Sequence, residues 1–121
     1  MCPRLLDTGD AMKKLLVGLL MVPAVAHAQF YTGNILLQKM NSAELHERAL
    51  AMGYVLGVSD MAQNKEHCSP QSVTSGQTRD VVKQYLEQNP ANRDLVADLL
   101  VRVSLAIAWP CPKKQDKNRG T

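Results

Sequence analysis

The residues best able to do chemistry in this 121-residue chain are few: Cys68 and Cys111, His46 and His67, Asp60 and Glu66. The third cysteine, Cys2, falls in a segment expected to be removed. Two cysteines in an exported domain pair as a disulfide rather than serve as thiolates, so the pattern predicts one Cys68–Cys111 bridge and no cysteine nucleophile. A zinc or iron site needs more ligands than His46 and His67 can add, and no metal or other cofactor is expected. No G-x-S-x-G elbow and no glycine-rich phosphate loop occurs, so the chain does not read as an enzyme. His67, beside Cys68, reads as an exposed loop histidine rather than a base. Asp60 is expected near the C-terminal end of a helix, where a negative charge opposes the helix dipole. A specific partner for its carboxylate is therefore expected, with a structural hydrogen bond favoured over a ligand.

These residues must be held by a domain that is expected to be exported. Lys13 and Lys14 precede an apolar run from Leu15 to Ala26, and Ala26-His27-Ala28 supplies a small-x-small cleavage pattern. Basic residues, a short apolar stretch and such a site define a secretory signal, and the run is too short for a membrane anchor. Residues 1–28 are thus expected to be a signal peptide, with Met12 its start and residues 1–11 an upstream extension. The product, 29–121, is expected to be periplasmic and free of the membrane.

Residues 29–112 carry seven Lys/Arg against eight Asp/Glu, a net of −1. The segment 113–121 adds +3 and lacks apolar residues, so it reads as a disordered, solubilising basic tail. A nearly neutral domain argues against nucleic-acid binding. The bridge closes a loop of about 44 residues. Chain entropy puts its stabilisation near ~4 kcal/mol, comparable with the whole folding free energy of such a domain.

The hydrophobic period is helical throughout, which predicts an all-α fold: a small bundle of about four helices closed by one disulfide. A short first helix ends near Met40. Asn41 and Glu44 read as a capping box for a second helix from Ser42 to about Lys65, with Leu45, Ala49, Met52, Val55 and Leu56 on its apolar face. Ala49, Gly53 and Gly57 form a small-residue stripe on that helix, expected to admit a tightly crossing neighbour helix in preference to a dimer seam. Thr74 and Gln77 form a second capping box, opening a third helix that runs to Gln88 with Val81, Val82, Tyr85 and Leu86 inward. Asn89 is expected to cap a fourth helix with Pro90 at its first position, running through Leu95, Val96, Leu99, Leu100, Val103 and Ile107 to Trp109. In an up-and-down bundle the second and fourth helices are parallel, which brings Cys68 and Cys111 to one pole.

Phe30-Tyr31-Thr32-Gly33-Asn34 with Leu36-Leu37, Gly53-Tyr54-Val55-Leu56-Gly57-Val58-Ser59-Asp60, Cys68-Ser69-Pro70, Val73-Thr74-Ser75-Gly76-Gln77, Tyr85-Leu86-Glu87-Gln88-Asn89-Pro90 and Trp109-Pro110-Cys111-Pro112 follow one another in fixed order. In this the chain resembles the Rap/Tai family of type VI secretion immunity proteins along nearly the whole of 29–112. One departure is that Gln38, Lys39 and Met40 stand where many relatives carry a further cysteine. The resemblance implies a periplasmic all-helical protein that binds and inhibits a peptidoglycan-cleaving amidase effector, and in some relatives a homodimer. Occlusion of the enzyme's groove by the loop 63–75 is the mechanism we expect, with Glu66, His67, Gln71 and Ser72 as contacts. A different class, an acid-stress chaperone of the HdeA type, is the alternative. It is disfavoured because acid triggering needs many carboxylates, and 29–112 has only eight.

Overall fold

The computed structural model describes residues 30–113. The expected signal peptide, and the tail from residue 114 onward, lie outside the described residues. Four α-helices follow in order: α1 (Gly33–Met40), α2 (Leu45–Ala62), α3 (Ser75–Gln88) and α4 (Ala97–Ala108), with a 3-10 turn at Pro90–Asn92 before α4. Among the described residues the only β pairing is two isolated bridges. The expected all-α bundle is what forms.

Helix α1 opens on Thr32, whose Oγ1 accepts a hydrogen bond from the Ile35 amide at 3.3 Å. It buries Gly33, Leu36, Leu37 and Met40. Gly33 is a site of close approach: a Cβ there would lie 2.5 Å from Leu100 Cδ1 and 3.0 Å from the Arg93 carbonyl oxygen. Helix α3 begins and ends where the sequence places it. Thr74 Oγ1 accepts from the Gln77 amide while Gln77 Oε1 accepts from the Thr74 amide, the reciprocal capping that satisfies two orphan donors.

Three expectations are corrected. First, Asn41 does not cap α2. It ends α1, its amide bonding to the Leu37 carbonyl, and Arg48 ties the turn instead by donating to the carbonyls of Ser42 and Ala43. Second, the helical segment that Asn89 precedes, with Pro90 at its start, is only the 3-10 turn Pro90–Asn92 and not α4, and the Asn89 side chain donates back to the Tyr85 carbonyl at 2.8 Å without capping it. Residues 90–96 do not extend α4, because their backbone is claimed elsewhere. The amides of Gly33 and Asn34 donate to Leu95 and Arg93, and the Ala97 amide donates to Tyr31. This pairing with the N-terminal segment holds Val96 extended and leaves Leu95 and Val96 exposed.

Third, of the face expected to turn inward on α2 only Val55 is fully buried; Met52 and Leu56 are half-buried, and Leu45 and Ala49 are exposed. The buried residues of α2 are Ala51, Val55, Ser59 and Ala62, while Leu45 is 73% exposed. Small side chains let the helix sit close to α1, α3 and α4, all of which it packs against. The large apolar residues used to read the face are spread around the helix and carry little phase. The stripe of Ala49, Gly53 and Gly57 faces outward: a Cβ at Gly53 or Gly57 would meet nothing within 4 Å. No helix among the described residues crosses there.

The core is built from Leu36, Leu37 and Met40 of α1, Ala51 and Val55 of α2, Val82 and Leu86 of α3, and Ala97, Leu100, Val101 and Leu105 of α4. Cys68 and Cys111 are bonded, their Cα atoms 4.8 Å apart, so the chain after α2 and the chain after α4 do meet at one pole. The Cys68 amide also donates to the Trp109 carbonyl at 2.8 Å.

Candidate functional site

At the pole closed by the disulfide, α2 ends in a tight reversal that launches the 63–75 loop. The Asn64 amide donates to the His67 carbonyl at 2.7 Å, and the Lys65 and Glu66 amides donate to Ala62. Asn64 adopts φ 62°, a left-handed conformation that asparagine tolerates better than most side chains. His67 then folds inward. Its side chain is 0% exposed, its Nε2 donates to the Ser59 carbonyl at 3.0 Å, and the Ser59 hydroxyl lies 3.5 Å away. Its Nδ1 has no partner among the described residues. The expected exposed histidine is therefore a buried one, and it offers no surface to a partner.

Beyond His67 the loop is pinned repeatedly. Cys68 carries the disulfide. The Ser69 hydroxyl donates to Gln63 Oε1 at 2.7 Å, and Gln63 Nε2 donates to the Ser69 carbonyl at 3.0 Å. The Val73 amide closes a turn on the Pro70 carbonyl, and Thr74 begins the capping box of α3. The loop is thus held in one shape without being buried: Gln71 and Ser72 are exposed at its tip.

Glu66 points to the other side. Arg102 of α4 donates to both Glu66 carboxylate oxygens, at 3.1 and 3.2 Å, and to Asp98 through a second fork. The Asp98 carboxylate first, then Glu66, raises the Arg102 pKa above its ordinary value. Glu66 ties the loop to α4, so its carboxylate is already engaged. The i, i+4 spacing of Asp98 and Arg102 is a signal that sequence reasoning overlooked; the contact with Glu66, 36 positions away, has no local one.

Between the loop and the helices lies an open groove of about 510 Å³, lined by Leu56 and Asp60 of α2, Gln63, Gln71, and Ser75 and Thr78 of α3, among others. Of the four expected contact residues, Gln71 lines this groove, Ser72 stands at the loop tip, Glu66 faces α4 and His67 is buried. Asp60 makes no hydrogen bond or ion pair among the described residues, so the structural bond expected for it is absent. Gln77 serves the α3 cap. Gly53 and Gly57 stand on the outward face of α2, with exposed Leu50 and Met61 on the same helix and Phe30 nearby.

No three of the His, Cys, Asp and Glu residues gather in a metal-binding arrangement among the described residues. No helix there is long and apolar enough to cross a membrane. A family model described as Rap1a immunity proteins matches residues 32–111. No curated protein matches the chain.

Proposed function

Because the chain belongs to the Rap1a immunity protein family, we propose that it binds and silences a peptidoglycan-cleaving amidase effector of a type VI secretion system in the periplasm. The observation that best supports this is the pinned 63–75 loop. A flexible loop loses side-chain and backbone entropy when it docks, about 0.5–1.5 kcal/mol for each long side chain immobilised. Here the disulfide, the Gln63–Ser69 pair and the Thr74–Gln77 box have already fixed the backbone. Polar side chains on a rigid projection suit insertion into an enzyme groove, where they displace water and peptide from the reacting groups. Gln71 and Ser72 are the contact residues of this reading, and Glu66 stiffens the loop from behind. The homodimer implied by the resemblance belongs to the same proposal, with the outward stripe of α2 as the face open to a second copy.

The test is inhibition. Oxidised protein is titrated into a panel of purified type VI amidase effectors, and hydrolysis of peptidoglycan fragments is followed. The proposal predicts stoichiometric loss of activity for at least one amidase, relieved by Gln71→Arg. Full activity of every amidase at saturating protein defeats it.

A further inference from the structure

We propose that the groove beside Asp60 receives a cationic side chain, arginine or lysine, presented by a protein partner. Asp60 is the one charged residue among those lining the groove; the rest are neutral, several of them hydroxyl or amide side chains. Its carboxylate is exposed and has no partner among the described residues. It also stands in the last turn of α2 (Leu45–Ala62), where the aligned peptide dipoles add negative potential. The reversal after α2 strengthens this. A continuing helix would send the amides of Asn64 and Lys65 back to the carbonyls of Asp60 and Met61. They bond instead to His67 and Ala62, so neither carbonyl accepts a backbone hydrogen bond among the described residues.

The isolated carboxylate therefore costs stability through the dipole and gains nothing from the fold, which is the arrangement expected where a cation arrives from outside. A metal ion is a poor fit, since one carboxylate with neutral neighbours supplies too little charge to dehydrate a divalent cation. Leu56 and Val73, both half-buried, also line the groove and suit the aliphatic stem of a long cationic side chain, leaving its head for the carboxylate. This inference shares with the proposed function the idea that the loop pole is a contact surface, but its first test does not depend on the amidase.

That test is a nuclear magnetic resonance titration of the oxidised full-length mature protein with the peptide acetyl-Gly-Arg-Gly-amide at millimolar concentrations, beside its uncharged citrulline analogue. The expected result is a shift of the Asp60, Gln63, Gln71 and Thr78 amides with the arginine peptide only, lost in D60N and weakened by salt. Equal shifts with citrulline, unchanged shifts in D60N, or none at all overturn the proposal. Removing residues 114–121 provides the control for self-occupancy: if the same amides move on deletion, the chain's own basic tail fills the groove and the assignment to a partner falls. With an amidase that the wild type inhibits, D60N should weaken inhibition at least about tenfold, since a charge-assisted hydrogen bond is lost. Unchanged inhibition removes the groove from the effector contact. Absence of any inhibited amidase strikes the functional reading instead, and the peptide titration still decides the groove.

Discussion

Replacing Gly53 and Gly57 with alanine should stabilise this protein, whereas the same change at Gly33 should destabilise it. Gly53 and Gly57 lie inside α2, and a Cβ at either meets nothing within 4 Å. Each substitution therefore keeps the full helix-propensity gain, about 0.5–1 kcal/mol. The two sites are i, i+4 neighbours on one open face, where small methyl groups meet no other element, so G53A/G57A should gain roughly 1–2 kcal/mol. For a domain of this size each kcal/mol shifts Tm by about 4–8 °C. At Gly33 the same gain is opposed by a Cβ 2.5 Å from Leu100 Cδ1 and 3.0 Å from the Arg93 carbonyl. Leu100 lies in the core, and the Arg93 carbonyl is fixed by the Asn34 amide at 2.8 Å. Neither neighbour yields easily, and overpacking of this kind costs about 1–3 kcal/mol. Thermal melts followed by circular dichroism at low micromolar protein would measure all three variants. A lower Tm for G53A/G57A, or a neutral G33A, refutes the reasoning. A concentration-dependent loss in G53A/G57A would show that a second copy covers the stripe in solution.

Replacing Cys68 or Cys111 with serine should cost about 2–4 kcal/mol and loosen the 63–75 loop, which hydrogen exchange would register as faster exchange there and at Trp109. His67→Ala should cost about 2–4 kcal/mol through a buried cavity and the lost bond to Ser59, and His67→Phe less, because it keeps the volume and removes the unpartnered Nδ1; chemical denaturation ranks the two, and equal losses would refute the account of that site. Lys39 and Glu47 link α1 to α2 by an ion pair. The bond to Lys39 lowers the Glu47 pKa from its ordinary 4.5 and that to Glu47 raises the Lys39 pKa from 10.5. The carboxylate's share of stability is therefore fully present above about pH 4.5 and fades as pH falls through the lowered value. The ammonium's share is present below about 10.5 and fades as pH rises through the raised value. Glu47→Gln should flatten the dependence of Tm on pH at both ends, and an unchanged profile would exclude the pair as its source.

Local chemistry was legible in the sequence and tertiary competition was not. The bounds of α3 follow from Thr74, Gln77 and the Asn89-Pro90 stop, all of which act within a few residues. The disulfide follows from cysteine count and the expectation of export. The start of α4 was misplaced because Leu95, Arg93 and Ala97 give their backbone groups to Tyr31, Gly33 and Asn34, some sixty positions away. The phase of α2 is only partly legible because, beside Val55, the helix buries Ala51, Ser59 and Ala62 rather than Leu45, Met52 and Leu56. Small side chains carry a weak hydrophobic signal, yet they permit the closest packing. In the candidate site the loop itself was visible from its Ser, Pro and Gln content. The inward turn of His67 depends on the reversal at Asn64, and the groove beside Asp60 depends on how that reversal faces the start of α3. Neither has a periodic signature.

The central claim is that this chain inhibits an amidase through the pole held by Cys68–Cys111. It is tested most directly by titrating the oxidised protein, and separately the reduced and alkylated protein, into type VI amidase effectors while peptidoglycan cleavage is measured. The account predicts that one amidase loses all activity near one equivalent of oxidised protein, and that reduction with alkylation weakens the inhibition. Full cleavage by every amidase at saturating oxidised protein would contradict it.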